Sequence, residues 1–323
     1  AMNGNFGLLA GVTIGVSRVD LGIADFSCRL LARYSETLLV KDGPIRVLGR
    51  KCSLLENMLQ ESNLNSEQLI GMGIGVPGPV DFSAGTLVSP PGMPGWDRYP
   101  ITQTIQQWFP NTRIVIDNDV NAMALAEFVQ GTGKGVDSII FVKIGTGIGA
   151  GIICEGRIYR GANGCAGDIA HICVDKNGPL CYCGNKGCLE VFAAGQAFFE
   201  KPLRTEAEST LQDFRKDGGA MQADNFESTI GEGYAAGAED IRESGQYIGD
   251  VLACLVNFYN PGMIVIGGGV IDLGSLLLSS IRERVFRRSL PLATRDLQIV
   301  FSEVGPDAGM IGTTNLALNN ILN

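Results

Sequence analysis

HICVDKNGPLCYCGNKGCLE, residues His171 to Glu190, is the stretch on which the reading of this chain turns. It opens on the only histidine of the protein and carries Cys181, Cys183 and Cys188 downstream of it. Nine residues separate His171 from Cys181, one separates Cys181 from Cys183, and four separate Cys183 from Cys188. Thiolates and an imidazole at such spacing close a tetrahedral zinc shell, with Gly178, Gly184 and Gly187 supplying the turns. A Cys3His shell leaves no open coordination position, so the expected Zn2+ is structural. The competing reading is a cluster of reduced thiols in an ordinary loop.

Six of the nine cysteines (Cys154, Cys165, Cys173, Cys181, Cys183 and Cys188) fall in one short region. No secretion signal opens the chain, and this clustering favours metal over disulfides. Cys28, Cys52 and Cys254 stand in apolar surroundings and are expected to be inert core thiols.

Outward from the loop, apolar runs alternate with helical patterns. On the N-terminal side, LLAGVTIGVSRVDLGIAD reads as a hairpin and residues 45–59 as a helix. LIGMGIGVPGPVD reads as a buried strand ending in a turn. PITQTIQQWF is a short amphipathic helix, and TRIVIDND is a strand meeting the helix NAMALAEFVQ, which Gly131 closes. SIIFVKIGTGIGAGIICEGRIYRG predicts two or three strands in meander order. On the C-terminal side, residues 200–228 read as weakly patterned helix, 238–257 as a long helix, PGMIVIGGGV and RDLQIVFSEVG as strands, and DAGMIGTTNLALNNIL as a closing helix. The two halves share one order, a glycine-interrupted hairpin followed by strands alternating with helices. That order predicts an α/β protein of two similar domains.

Composition narrows the function. The 323 residues fit two domains, and 45% hydrophobic content supports a proper core without a membrane-spanning run. A soluble, cytoplasmic protein with no membrane partner is expected. The net charge of −9 argues against nucleic-acid binding by this chain itself, because neutralising phosphates needs a basic face.

The cysteine loop resembles the signature of the ROK family (repressors, open reading frames and sugar kinases). There a Glu-x-Gly-His precedes Cys-x-Cys-Gly-x-x-Gly-Cys-x-Glu; here GDIAH is followed by CYCGNKGCLE. The resemblance covers nearly the whole chain. It implies a two-domain actin/hexokinase-like (ribonuclease H-like) α/β fold with a cleft. The smaller domain would comprise residues 1–118 plus 306–323, and the larger, with the zinc loop, residues 119–305.

By the same resemblance His171 ligates zinc through one ring nitrogen and meets a sugar hydroxyl through the other, while Glu190 faces the sugar from the same loop. Asp168 stands where the family has glutamate, one methylene shorter, and Ala170 replaces a glycine. In IVIDNDVNAMALAE, Asn118 and Asp119 match the family's Asn-Asp pair. A carboxylate at that position serves as general base towards an attacking hydroxyl, and an amide suits vicinal hydroxyls. A helix N-cap explains the same residue types for local reasons. Gly78 of PGPVD is placed at the sugar site, although a plain turn fits it equally.

The nucleotide segments of the superfamily are matched by Gly145, Thr146 and Gly147 and by Gly267, Gly268 and Gly269. The first phosphate loop, VTIGVSRVD, holds Gly15 and Ser17 but has Thr13 where a kinase has aspartate. Threonine brings no charge to Mg2+, so turnover of ATP should be much reduced. Two functions follow. One is the sugar-binding effector domain of a transcriptional regulator, reaching DNA only through a domain absent from this chain. The other is an ATP- and Mg2+-dependent hexose or N-acetylhexosamine kinase with Asp119 as base. Thr13 favours the regulator, and the intact Asp119 favours the kinase. The family implies a homodimer or homotetramer.

Overall fold

The computed structural model describes residues 6–15, 18–37, 40–90, 93–195 and 238–322. In chain order the strands are β1 Leu8–Ile14, β2 Arg18–Asp25, β3 Leu30–Thr37, β4 Leu69–Val76, β5 Val80–Asp81, β6 Thr86–Leu87, β7 Arg113–Asn118, β8 Ile139–Ile144, β9 Ile148–Cys154, β10 Arg157–Ile158, β11 Met263–Gly267 and β12 Gln298–Phe301. The helices are α1 Pro44–Glu61, α2 Ile101–Gln106, α3 Asp119–Gln130, α4 Glu190–Ala193, α5 Ala238–Tyr259, α6 Ser275–Arg288, α7 Pro291–Thr294 and α8 Ala308–Leu322.

The chain divides into two compact units. Unit 1 comprises residues 1–131, 157–166 and 306–323; unit 2 comprises 132–156 and 167–305. The sequence reading draws the first boundary at residue 118. The chain itself keeps α3 with unit 1, because α3 packs on α8, and returns residues 157–166 to unit 1.

In unit 1 the sheet order is β3-β2-β1-β4-β7. β1 and β2 form the predicted hairpin, β3 extends it antiparallel, and β4 and β7 join in parallel. The inner strands are buried on both faces, which explains their unbroken apolar runs. On one face Ala10, Val12 and Ile74 pack with Val47, Leu48 and Leu55 of α1. On the other face α8 lies close. A Cβ on Gly73 of β4 would collide with the Thr313 carbonyl, so glycine is what admits the helix. The MPGW segment is pinned by Trp96, fully buried, whose indole N–H donates to the Val40 carbonyl at 2.9 Å.

Unit 2 repeats the plan. Its sheet carries the order β9-β8-β11-β12, with an antiparallel β8–β9 hairpin and parallel β11 and β12. α5 and α6 pack against each other, and Ile248, Leu252, Leu277, Ile281 and Val285 fill the core between them and the sheet. Each such side chain, fully buried, contributes about 1.5–3 kcal/mol. No described helix is long and apolar enough to cross a membrane.

Two elements fall outside the sequence expectation. β3 is mostly exposed, so LLARYSET lacks the apolar signal of an inner strand. α6 carries apolar residues at 277, 278, 281 and 285, a stripe masked by the basic residues around it. One expectation is overturned: Cys254 is exposed on α5, whereas Cys28 and Cys52 are buried. Its apolar neighbours in sequence lie on the helix face turned to the core, and Cys254 lies on the other. The helical reading of 200–228 lies outside the described residues.

Candidate functional site

In unit 2 the cysteine loop is shaped by its backbone. Cys181 N–H donates to the Asn185 carbonyl at 2.7 Å, and Gly184 N–H to the Cys181 carbonyl at 3.0 Å. Gly187, at φ 69°, donates to the Pro179 carbonyl and accepts from Val174 N–H, each at 2.8 Å. A Cβ on it would strike the Asp175 carbonyl, so the position demands glycine. These turns gather His171, Cys181, Cys183 and Cys188, whose ligand atoms all lie within 4.8 Å of one another. Cys183 Sγ stands 3.6 Å from Cys188 Sγ, and Cys181 Sγ 3.6 Å from His171 Nδ1. Two thiolates on one tetrahedral zinc lie about 3.7 Å apart, so the donor set and its spacing fit a closed zinc shell. This cluster could hold a metal ion.

The same loop carries the acidic residues. Segment 170–172 pairs with 189–190: Glu190 N–H donates to the Ala170 carbonyl and Leu189 N–H to the Ile172 carbonyl, both at 2.9 Å. That pairing sets His171 beside Glu190. Glu190 opens α4, and its Oε2 accepts from Ile148 N–H at 3.0 Å. Burial pushes the Glu190 carboxyl up to about 7 against the pull of that N–H, and the charge of Asp168 adds to the rise. Asp168 is exposed. Tyr182, between two of the cysteines, puts its hydroxyl 3.1 Å from His171 Nε2.

The second and third glycine segments meet within this unit. Gly145 N–H donates to the Gly147 carbonyl at 3.0 Å, and the Gly145 carbonyl accepts from Gly195 N–H at 2.7 Å. Thr146 is exposed at the tip. Gly267 ends β11; Gly268 sits at φ 91° against the Ile144 carbonyl, and Gly269 starts a short helical turn.

In unit 1, Asn118 is the last residue of β7 and the N-cap of α3. Its Oδ1 accepts from Val120 N–H at 2.9 Å and Asn121 N–H at 3.3 Å, and its Nδ2 donates to the Gly78 carbonyl at 3.0 Å. The capping reading of Asn118 is therefore realised, and the cap ties it to Gly78, itself at φ 91°. Asp119 follows, buried in the first turn of α3.

Beneath this pair lies a group that the sequence reading misses. Asp117 is 2% exposed; its Oδ1 accepts from Asn118 N–H and Asn121 Nδ2, and its Oδ2 from Arg160. Arg160 also stacks 4.0 Å over the Phe82 ring. In sequence, Asp117 reads as one more strand residue, and nothing in YRGANG marks Arg160 as its partner 43 residues away.

Of the first loop, Gly15 closes the β1–β2 turn by donating to the Arg18 carbonyl at 2.7 Å. Ser17 lies outside the described residues. Thr13, on β1, turns its Oγ1 to Gly309 of α8, where a Cβ would come within 2.7 Å of it. That oxygen is buried without a hydrogen-bond partner among the described residues.

Comparison with known proteins agrees with this architecture. The chain is 29% identical over 324 residues to a putative xylose repressor of Caldicellulosiruptor sp. (strain Rt8B.4), covering 99% of this chain and 80% of the relative. A ROK family transcriptional regulator, a homolog of the E. coli MLC protein, has a solved structure that superposes with TM-score 0.80 at 25% identity, over 99% of this chain and 80% of that one. A ROK family glucokinase from Streptomyces griseus, solved in complex with glucose and AMPPNP, superposes with TM-score 0.76 at 28% identity, over 97% and 100%. The fold is that of the actin-like sugar kinases, and both regulators and kinases stand among its relatives. The ROK family profile matches residues 10–320, and this chain belongs to the ROK family.

Proposed function

We propose that this chain is the sugar-binding effector part of a ROK transcriptional regulator, holding a hexose, pentose or N-acetylhexosamine without efficient phosphoryl transfer. Thr13 carries this reading. It occupies β1 where a kinase has the aspartate that helps to hold hydrated Mg2+, it bears no charge, and its buried hydroxyl faces Gly309. Most of the electrostatic help in phosphoryl transfer arrives through the metal, so this loss is harder to offset than an idle Asp119 is to retain.

In this reading zinc fixes the loop and holds the His171 ring in one tautomer, leaving its second nitrogen for a sugar hydroxyl. Glu190 and Asp168 accept from neighbouring hydroxyls. Asn118 and Asp119 do the same, with Gly78 held in place by the Asn118 amide. Gly145, Thr146, Gly147 and Gly267 to Gly269 persist as turns of the former nucleotide segment. Binding of sugar is linked to a change in the parent protein's DNA-binding part or in its assembly as a homodimer or homotetramer.

The kinase reading keeps one specific support. Asp119 is intact and buried in the first turn of α3, just past β7, where a general base would stand. Calorimetric titration with D-xylose, D-glucose, D-mannose and N-acetyl-D-glucosamine tests the shared core of both readings. At least one of them binds, and at pH 8, where the Glu190 carboxyl is mostly ionised, Glu190→Gln weakens that binding by about 1.5–3 kcal/mol, as loss of a charged hydrogen-bond acceptor does. Absence of heat with every sugar would refute sugar binding.

A further inference from the structure

We propose that Tyr182 is a displaceable plug on His171: in the sugar-free protein its hydroxyl occupies the ring nitrogen that a carbohydrate hydroxyl needs, and so sets the threshold of sugar affinity. This inference rests on the sugar-binding reading above. Tyr182 Oη stands 3.1 Å from His171 Nε2, and the two rings meet edge-on at 81° with centroids 5.1 Å apart. His171 Nδ1 faces Cys181 Sγ. With Nδ1 committed to the metal, the neutral imidazole carries its proton on Nε2, and this N–H donates to the phenol oxygen. One N–H serves one well-aligned acceptor, so Tyr182 and a sugar hydroxyl compete for it.

The setting suits a plug that moves. Tyr182 lies between the ligands Cys181 and Cys183, so its backbone is fixed, yet 63% of its surface is exposed and the ring can swing away without opening the core. Its hydroxyl meets the His171 ring. The phenol hydroxyl offers the hydrogen-bonding chemistry of a sugar hydroxyl. Asp168, His171 and Glu190, the residues of this unit assigned to sugar, are the groups it adjoins.

The test compares the zinc-loaded chain with its Tyr182→Phe variant, using D-xylose, D-glucose and N-acetyl-D-glucosamine in calorimetry. The variant keeps the ring and loses the competing oxygen. We expect its affinity for the sugar that binds to rise about 3–10-fold, the size of one neutral hydrogen bond. Because the chain has a single histidine, 15N NMR reads the contact separately from any sugar. The Nε2–H signal should shift in the variant. A shifted signal with unchanged or weaker affinity overturns the plug, and so does an unshifted signal. If neither protein binds any sugar, the sugar reading itself fails and the competition with it, while the imidazole signal still shows whether the contact exists.

Discussion

Arg160 closes a buried ion pair on Asp117, with Nη2 at 2.6 Å and Nε at 2.8 Å from the same carboxylate oxygen. The other oxygen holds the Asn118 backbone and the Asn121 amide. One carboxylate thus joins the 157–166 segment to the start of α3. Removing the guanidinium leaves a buried charge uncompensated, which costs about 3–5 kcal/mol. Arg160→Met should lower the urea midpoint of unfolding accordingly, whereas Asp117→Asn, which leaves only the partly exposed guanidinium unpaired, should lower it less. Equal midpoints for Arg160→Met and the parent protein would show that the pair has no structural weight.

A metal held by the His171, Cys181, Cys183 and Cys188 cluster would leave a chemical footprint. At pH 8 an alkylating agent should modify the exposed Cys165, Cys173 and Cys254 and spare Cys28 and Cys52. Burial pushes both of the latter thiols up to about 12, with a nearby acid adding to the rise, so they remain neutral and unreactive until pH approaches that value or the chain unfolds. Cys181, Cys183 and Cys188 should be spared until a chelator strips the zinc, then become modified. Mass spectrometry of peptides reads all nine sites. Labelling of exposed Cys183 at the rate of Cys165 before chelation would argue for free thiols.

Cys188 is fully buried at the bottom of the loop. Cys188→Ser should lose metal and lower the melting temperature by about 5–10 °C, because binding free energy at such a site is folding free energy. Lowering the pH should act in the same direction. The ligands bind metal deprotonated, so protons compete with zinc as pH falls, and the stabilisation is fully present only at neutral pH and above. Metal analysis alongside calorimetry at pH 5 and pH 8 checks both statements.

Thr13→Asp restores the missing charge on β1. If its absence is what silences ATP chemistry, the variant should release ADP in the presence of a bound sugar at least about 10-fold faster than the parent chain. A coupled assay reads it. Equal rates in both would place the deficit elsewhere in the phosphate segments.

Much of this was legible because local chemistry dictated it. The spacing of His171, Cys181, Cys183 and Cys188 carried their gathering into a cluster that could hold a metal ion, since tight turns place residues close in sequence close in space. The hairpins and α3 with its Asn118 cap followed from patterning and capping. β3 was not legible, because an exposed edge strand has no apolar alternation. Neither was the Arg160–Asp117 pair, because long-range ion pairing leaves no periodic trace. Cys254 was misread for a related reason: apolar neighbours along a helix lie on a different face from the residue they flank. Tyr182 fills the unspecified position of the Cys-x-Cys spacing, and ligand spacing says nothing of its contact with His171.

The central claim is that this chain binds a sugar and does not phosphorylate it. The most direct measurement is ADP release with ATP, Mg2+ and the sugar at a concentration shown by calorimetry to saturate the zinc-loaded protein. The account predicts saturable sugar binding with ADP release no faster than the sugar-free background. Steady, sugar-dependent ADP release at rates typical of a kinase, about 1–100 per second, would contradict it.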